Sequence, residues 1–151
     1  MVRPAGIDDL ETAATLVAEF RDWWGKTEPR QGDHLASLAR LLEDPDTEIQ
    51  LAFDEQGEPA GFCQLRYRLS VWTGAHDCWL EDLFVVEQAR GGGHGRELVE
   101  TAIANAGSRG CRRMELDVNE QNEGALRFYE SLGFTTEPKP PGRTLFVSRP
   151  L

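Results

Sequence analysis

The sequence predicts an α/β (α+β) chain built around one core. Three features predict it. Apolar residues recur with period 3.6 in some stretches and period 2 in others; the run CWLEDLFVV (78–86) is apolar enough to be a strand inside a sheet; and the glycine-rich loop RGGGHG (90–95) joins that run to an amphipathic segment. With 151 residues, 40% of them hydrophobic, the chain suffices for one core and not two, so residues 1–151 are read as a single domain.

From the N-terminus, Asp8 or Asp9 is expected to cap a helix whose apolar positions Leu10, Ala13, Ala14, Leu16, Val17 and Phe20 continue to Trp23 and Trp24, where Gly25 ends it. A second helix follows Asp33, with Leu35, Leu38, Ala39, Leu41 and Leu42 inward and EDPD (43–46) as its stop. EIQLAF, a turn around Gly57, and an alternating run from Ala60 to Ser70 make a β-hairpin. After a loop around Gly74 comes the apolar strand. Leu98, Val99, Ala102, Ile103 and Ala106 then trace one face of a helix closed by Gly107 or Gly110, and RRMELDV (112–118) alternates as a strand. A last helix is expected from about Asn122 to Leu132, with Ala125, Leu126, Phe128, Tyr129 and Leu132 inward and Gly133 as its C-terminal cap; RTLFVSR (143–149) is a short closing strand.

The formal charge of −10 repels nucleic acid and anionic membranes and attracts cationic small molecules or basic peptides, so no nucleic-acid or membrane partner is expected. Cys63, Cys78 and Cys111 are odd in number and widely spaced, which suggests neither a disulfide framework nor a zinc site. His34 and His76 have no partner at metal-ligand spacing, so no metal is expected. MVRPAGIDDLE lacks the apolar centre of a signal peptide, and no run approaches the ~18 apolar residues of a membrane span. A reducing cytoplasm is the expected compartment.

A glycine-rich loop that leaves a buried strand and opens a helix presents backbone N–H groups at the positive end of the helix dipole. Glycine permits close approach of an anion and positive φ. Arg90 and Arg96 add charge suited to a diphosphate. The loop is not a P-loop, because no Gly-Lys-Ser/Thr follows, and the sixth position counted from Gly91 is Arg96, which breaks the dinucleotide pattern. On its own a glycine cluster can also be a plain turn.

Arg90-Gly91-Gly92-Gly93-His94-Gly95 resembles the Q/R-x-x-G-x-G/A signature of the GNAT family of N-acetyltransferases. LEDLFV before it and NEQNEGALRFYESLGF (119–134) after it resemble that family's central strand and coenzyme-proximal helix, in the same order; WLEDLFV, Trp72 and NEGALRFYE look most like the diamine and thialysine acetyltransferase branch. The resemblance implies a mixed, twisted sheet of about six to seven strands with about four helices, splayed after LEDLFV. It also implies acetyl-CoA as cosubstrate, with pantetheine beside the backbone of Leu83, Phe84 and Val85, the pyrophosphate on Arg90, Gly91, Gly92, Gly93, His94, Gly95 and Arg96, and the last helix contributing Asn122 and Ala125. Family members of this size commonly form homodimers.

Acetyl transfer to an amine needs a neutral nucleophile, donors for the developing oxyanion, and a proton for the departing thiolate. Glu81 is expected to share a face with Leu83 and Val85, where isolation would raise its pKa towards that of a useful base. An ion pair with a neighbouring arginine is the alternative. Asp82 is expected on the opposite face in a structural hydrogen bond, with a share in substrate binding left open. Tyr129 matches the family's thiolate-protonating tyrosine, although spacing alone makes it a core aromatic. The backbone of Phe84 or Val85 is the oxyanion donor. Either Asn119 or Asn122 caps the last helix. Trp23, Trp24, Tyr67, Trp72 and Trp79 could line a pocket for an aliphatic cation, with Trp24, Glu81 and Asp82 as substrate-binding residues. The expected function is direct acetylation of a small cationic primary amine (polyamine, lysine-like or aminoglycoside-like), against protein lysine or N-terminal acetylation, a non-catalytic acyl-CoA-binding domain, or an unrelated nucleotide-phosphate module.

Overall fold

The computed structural model describes residues 1–136 and 147–150, which divide into two units, Met1–Asp117 and Val118–Leu151. The first unit runs β1 (Val2–Pro4), a 3-10 turn (Ile7–Asp9), α1 (Leu10–Trp23), α2 (Gln31–Glu43), β2 (Thr47–Phe53), β3 (Pro59–Ser70), β4 (Ala75–Val85), a second 3-10 turn (Glu87–Ala89), α3 (His94–Ser108) and β5 (Met114–Glu115). The five strands lie in sequence order; β1 to β4 are antiparallel and β5 is parallel to β4. The mixed sheet is as expected, with fewer strands among the described residues. The expected closing strand at 143–149 falls largely outside the described residues, and 112–118 contributes pairing only at Met114 and Glu115.

The sheet carries helices on both faces because its inner strands are apolar on both. Ala13, Ala14 and Leu16 of α1 and Leu38 of α2 bury against Ile49, Leu51, Phe62, Phe84 and Val86. Leu98, Val99, Ala102 and Ala106 of α3 are buried too. Between α3 and the sheet lies a polar cluster that the apolar pattern does not announce. Glu48 accepts from Tyr67 Oη (3.0 Å), Gln50 Nε2 (2.7 Å) and Asn105 Nδ2 (2.6 Å), with Arg109 3.6 Å away and over the Tyr67 ring. A part-buried carboxylate is tolerated there because both of its oxygens are hydrogen-bonded.

Asp9 does not cap α1 through its side chain. Its carboxylate accepts from Gly6 N (2.9 Å) and from Arg3 (2.7 and 2.8 Å), closing the 3-10 turn ahead of the helix, and these bonds hold its pKa down at about 2. α2 begins at Gln31, two residues before Asp33.

In the second unit, Asn122 caps α4 (Glu123–Glu130), its Oδ1 accepting from Ala125 N at 3.1 Å, while Asn119 Oδ1 accepts from Gln121 N at 2.9 Å in the preceding turn. Of the two candidate caps, Asn122 has the role. Tyr129 packs edge-on to Phe128 (5.2 Å) and Phe134 (5.6 Å), and Gly133 takes the left-handed φ of +87° past the helix end.

Candidate active site

β4 pairs with β5 only at Cys78 and Trp79. From Leu80 to Val85 its outer edge has no strand partner among the described residues, which is the expected splay. Which backbone groups reach that edge follows from the β3 register. Val86 N donates to Ala60 O (3.0 Å), so two residues inward Phe84 faces Phe62 in the hydrogen-bonding geometry. The amide and carbonyl of Phe84 therefore point at β3, and those of Leu83 and Val85 point to the open edge. The expectation for Phe84 is corrected accordingly: its contribution is a ring, which packs with Phe20 (5.3 Å) and Phe62 (6.3 Å). Gly61, facing Val85, has no room for a side chain, because a Cβ there would collide with the Phe84 carbonyl oxygen.

The glycine loop follows at once. Gly91 (φ +82°) and Gly93 (φ +85°) are left-handed, Gly93 is the N-cap of α3, and no atom lies within 4 Å of where a Cβ would stand on either. The N–H groups opening α3, from His94 and Gly95, precede any helical carbonyl that could accept them. Together with the dipole of the 15-residue helix they suit an anion. Arg90 departs from its expected role: its Nε donates to Val85 O (3.1 Å) and its guanidinium lies over Trp23 (5.1 Å) and Phe84 (6.0 Å). The rings attract the guanidinium through cation–π contact and the edge-facing Val85 carbonyl accepts its Nε–H, while Arg90 stays exposed. Arg96 approaches Glu100 at 3.3 Å.

The carboxylate pair departs most from expectation. β4 carries a bulge: Asp82 faces Gln64 and Leu80 faces Leu65, leaving Glu81 as the extra residue. Period-2 alternation is lost there. Glu81 does not share the face of Leu83, which stands opposite Cys63; it is exposed, and its Oε2 accepts from Arg66 Nε (2.7 Å) and Gln64 Nε2 (2.8 Å). Asp82, opposite Gln64, lies on the face away from Leu83 as expected, and the bulge brings Glu81 to that same side. The expected isolation of Glu81 is thus replaced by the arginine pair, and the raised proton affinity falls on Asp82. Burial above all, then the neighbouring charges of Glu81 and Asp117, push Asp82 up to about 6.

The aromatic set does not form one pocket. Trp24 is exposed, stacks on Phe20 (5.8 Å) and has the Lys26 ammonium 3.6 Å above its ring; Tyr67 is buried against Glu48 on the α3 face; Trp79 stacks under Arg68; and Trp72 sits 92% exposed at the β3–β4 turn. A cleft of about 890 Å³ opens between α1, the β2–β3 turn and the glycine loop, reaching Arg90, Gly92 and His94 but neither Glu81 nor Asp82. Tyr129, Asn122 and Ala125 belong to the second unit, where the Ala125 N–H is taken by Asn122. Among the described residues, no three His, Cys, Asp or Glu side chains are grouped to hold a metal, and no helix is long and apolar enough to cross a membrane. Gln64 and Arg66 were not singled out from the sequence. The signal available was the polar run of alternate residues Gln64, Arg66 and Arg68 in an otherwise apolar strand.

Comparison with known proteins bears directly on this arrangement. The Acetyltransferase (GNAT) family model matches residues 13–134. A peptidyl-lysine N-acetyltransferase of Escherichia coli (strain K12), YjaB, is 36% identical over 118 residues, 74% of this chain and 70% of the relative. The thialysine N-epsilon-acetyltransferase of Sus scrofa is 35% identical over 82 residues, 51% of this chain and 48% of that enzyme. A solved structure described as a probable acetyltransferase superposes with a TM-score of 0.87 at 27% identity, covering 99% of both chains. The open β4 edge, the left-handed glycine loop and the family match agree: the chain is an acetyltransferase and belongs to the GNAT family.

Proposed function

We propose that the chain is a single-domain acetyl-CoA-dependent enzyme that transfers acetyl directly to a primary amine on a small cationic acceptor. The observation that carries it is the half-buried Asp82, its pKa pushed up to about 6, beside a second carboxylate at the open end of β4. Acetyl-CoA would bring the activated acetyl thioester and carry away the thiol. The residues fit it: the amides of Leu83 and Val85 face the open edge of β4 where pantetheine would lie, and the space in front of Gly91 and Gly93 with the opening N–H groups of α3 suits the pyrophosphate.

Glu81 draws in the substrate ammonium, and Asp82 takes its proton to leave a nucleophilic amine. The Val85 N–H stabilises the carbonyl oxygen as the C–N bond forms and the C–S bond breaks. Tyr129 donates a proton to the sulfur, and the second N–H proton, lost as the amide forms, restores the phenol; the role is supported by its place in NEGALRFYE, and a phenol stays protonated at neutral pH and can still donate. The low-pKa anion Asp9 lies outside this chemistry, and so does Trp24, whose ring is stacked on Phe20 and covered by the Lys26 ammonium, a like charge to any cationic acceptor.

A small acceptor is supported by the thialysine relative and by the charge of −10. Peptide lysine is the second reading, favoured by the longer match to the peptidyl-lysine relative. A homodimer in the cytoplasm completes the proposal, supported by the apolar β3–β4 turn at Leu69, Val71 and Trp72 and by three free thiols. The test is thiol release from acetyl-CoA with polyamines, lysine, thialysine, aminoglycosides and a lysine peptide, repeated with Tyr129→Phe and Asp82→Asn. Release with one small-amine class, cut by about 10²-fold or more in both variants, is expected. Release with the peptide alone would replace the small acceptor, and acetyl-CoA binding without turnover for every amine would overturn the enzymatic reading.

A further inference from the structure

The bulge poses a positioning problem of its own. An extra residue in a strand has no cross-strand partner to hold its side chain, and a half-exposed glutamate would sample several rotamers in water. Here two donors from β3 converge on one oxygen of Glu81, Gln64 Nε2 at 2.8 Å and Arg66 Nε at 2.7 Å. Gln64 is buried, with 7% of its surface exposed, so its amide is fixed by packing; Arg66 is 39% exposed, as is Glu81. Both bonds fall on Oε2, which leaves Oε1 for another donor. The backbone register puts Asp82 directly opposite Gln64.

We infer that Gln64 and Arg66 are positioning residues for acetyl transfer: they pin the Glu81 carboxylate beside Asp82 through its Oε2, and the Arg66 charge, acting through Glu81, sets the pH at which Asp82 can accept the substrate proton. This rests on the reading of Asp82 as proton acceptor. The charged groups around the pair are Glu81 on β4, Asp117 beyond β5, Arg66 on β3, and Asp44 at the end of α2, which also feels Arg66. The signs follow. Glu81 and Asp117 hold the proton on Asp82 to higher pH, and Arg66 offsets part of the Glu81 field, so loss of the Arg66 charge strengthens proton retention and loss of the Glu81 charge weakens it.

The experiment follows Asp82 by carboxyl-detected NMR titration, which needs no substrate, alongside the pH profile of kcat/KM, in wild type, Arg66→Met, Arg66→Lys, Glu81→Gln and the Arg66→Met/Glu81→Gln double variant. Arg66→Met is expected to move the Asp82 midpoint and the acid limb of kcat/KM up together by roughly 0.5 in pH, a modest size because the pair is partly exposed and screened. Glu81→Gln moves both down, and in that background Arg66→Met has less than half its effect. Arg66→Lys, which restores charge without the planar fork, keeps the midpoint near that of wild type but lowers kcat several-fold, with KM little changed. An Asp82 midpoint unmoved by Arg66→Met, or moved equally in both backgrounds, overturns the inference. If no amine is acetylated, the proposed function fails while the titration still decides the positioning role. Should Arg66→Met fail to fold, Arg66→Lys and Glu81→Gln carry the comparison.

Discussion

Gly61→Ala tests whether the open edge of β4 is held in place by a close approach of two strands. The added Cβ would collide with the carbonyl oxygen of Phe84 and stand 3.1 Å from Val85 Cα and 3.3 Å from the Phe84 carbonyl carbon. All three atoms are backbone, so no side-chain rotation relieves them; β3 and β4 must separate locally. Gly61 is not among the left-handed glycines, so the penalty is steric alone. Overpacking a buried site costs about 1–3 kcal/mol, and replacing a strand glycine offsets about 0.5–1 kcal/mol by restricting the unfolded chain. Sterics win by about 1–2 kcal/mol, which for a chain this size lowers Tm by about 3–6 °C. Urea unfolding followed by tryptophan fluorescence measures the stability, and calorimetry measures acetyl-CoA affinity. Because the displaced atoms adjoin the free Val85 amide, affinity is expected to fall even where the variant is fully folded. A variant as stable as wild type with unchanged affinity would refute both the close approach and the assigned edge.

Asp82→Asn removes a carboxyl whose folded-state pKa is raised, so the native state favours the protonated form and stability is lost as pH rises from the unfolded value near 3.8 through about 6. The variant is expected to match wild type at pH 4 and to exceed it at pH 7.5, with activity lost; urea midpoints at the two pH values check this. Glu48→Ala leaves the donors of Tyr67, Gln50 and Asn105 without their acceptor and is expected to lower unfolding free energy by about 3 kcal/mol or more, whereas Glu48→Gln, which keeps the shape, costs less; equal effects would show that the network contributes little. Gly93→Ala meets no atom within 4 Å, so its cost is that of a left-handed alanine, about 1 kcal/mol after the unfolded-state offset, together with weaker acetyl-CoA binding by calorimetry.

The sequence by itself determined the α/β class, α1, α3, the β2–β3 hairpin, the buried β4 and the glycine loop, because each rests on a period or a conformational requirement carried by neighbouring residues. Leu98, Val99, Ala102 and Ala106 face inward in α3 as their spacing demands, and Gly91 and Gly93 have the positive φ that an anion loop asks of glycine. The tertiary structure alone decided which carboxyl of the pair has the raised proton affinity. Alternation places Glu81 and Asp82 on opposite faces, and one extra residue, visible only as a slip between Gln64 and Leu65 in the pairing of β3 with β4, brings both to the Gln64 side and leaves Asp82 the more buried of the two. The same is true of Phe84, whose amide is taken by β3, and of Arg90, drawn onto the Val85 carbonyl and the Trp23 ring. Local sequence sets period and propensity, but strand register and long-range charge pairing are settled between segments far apart in the chain, and the chemistry of this site depends on those.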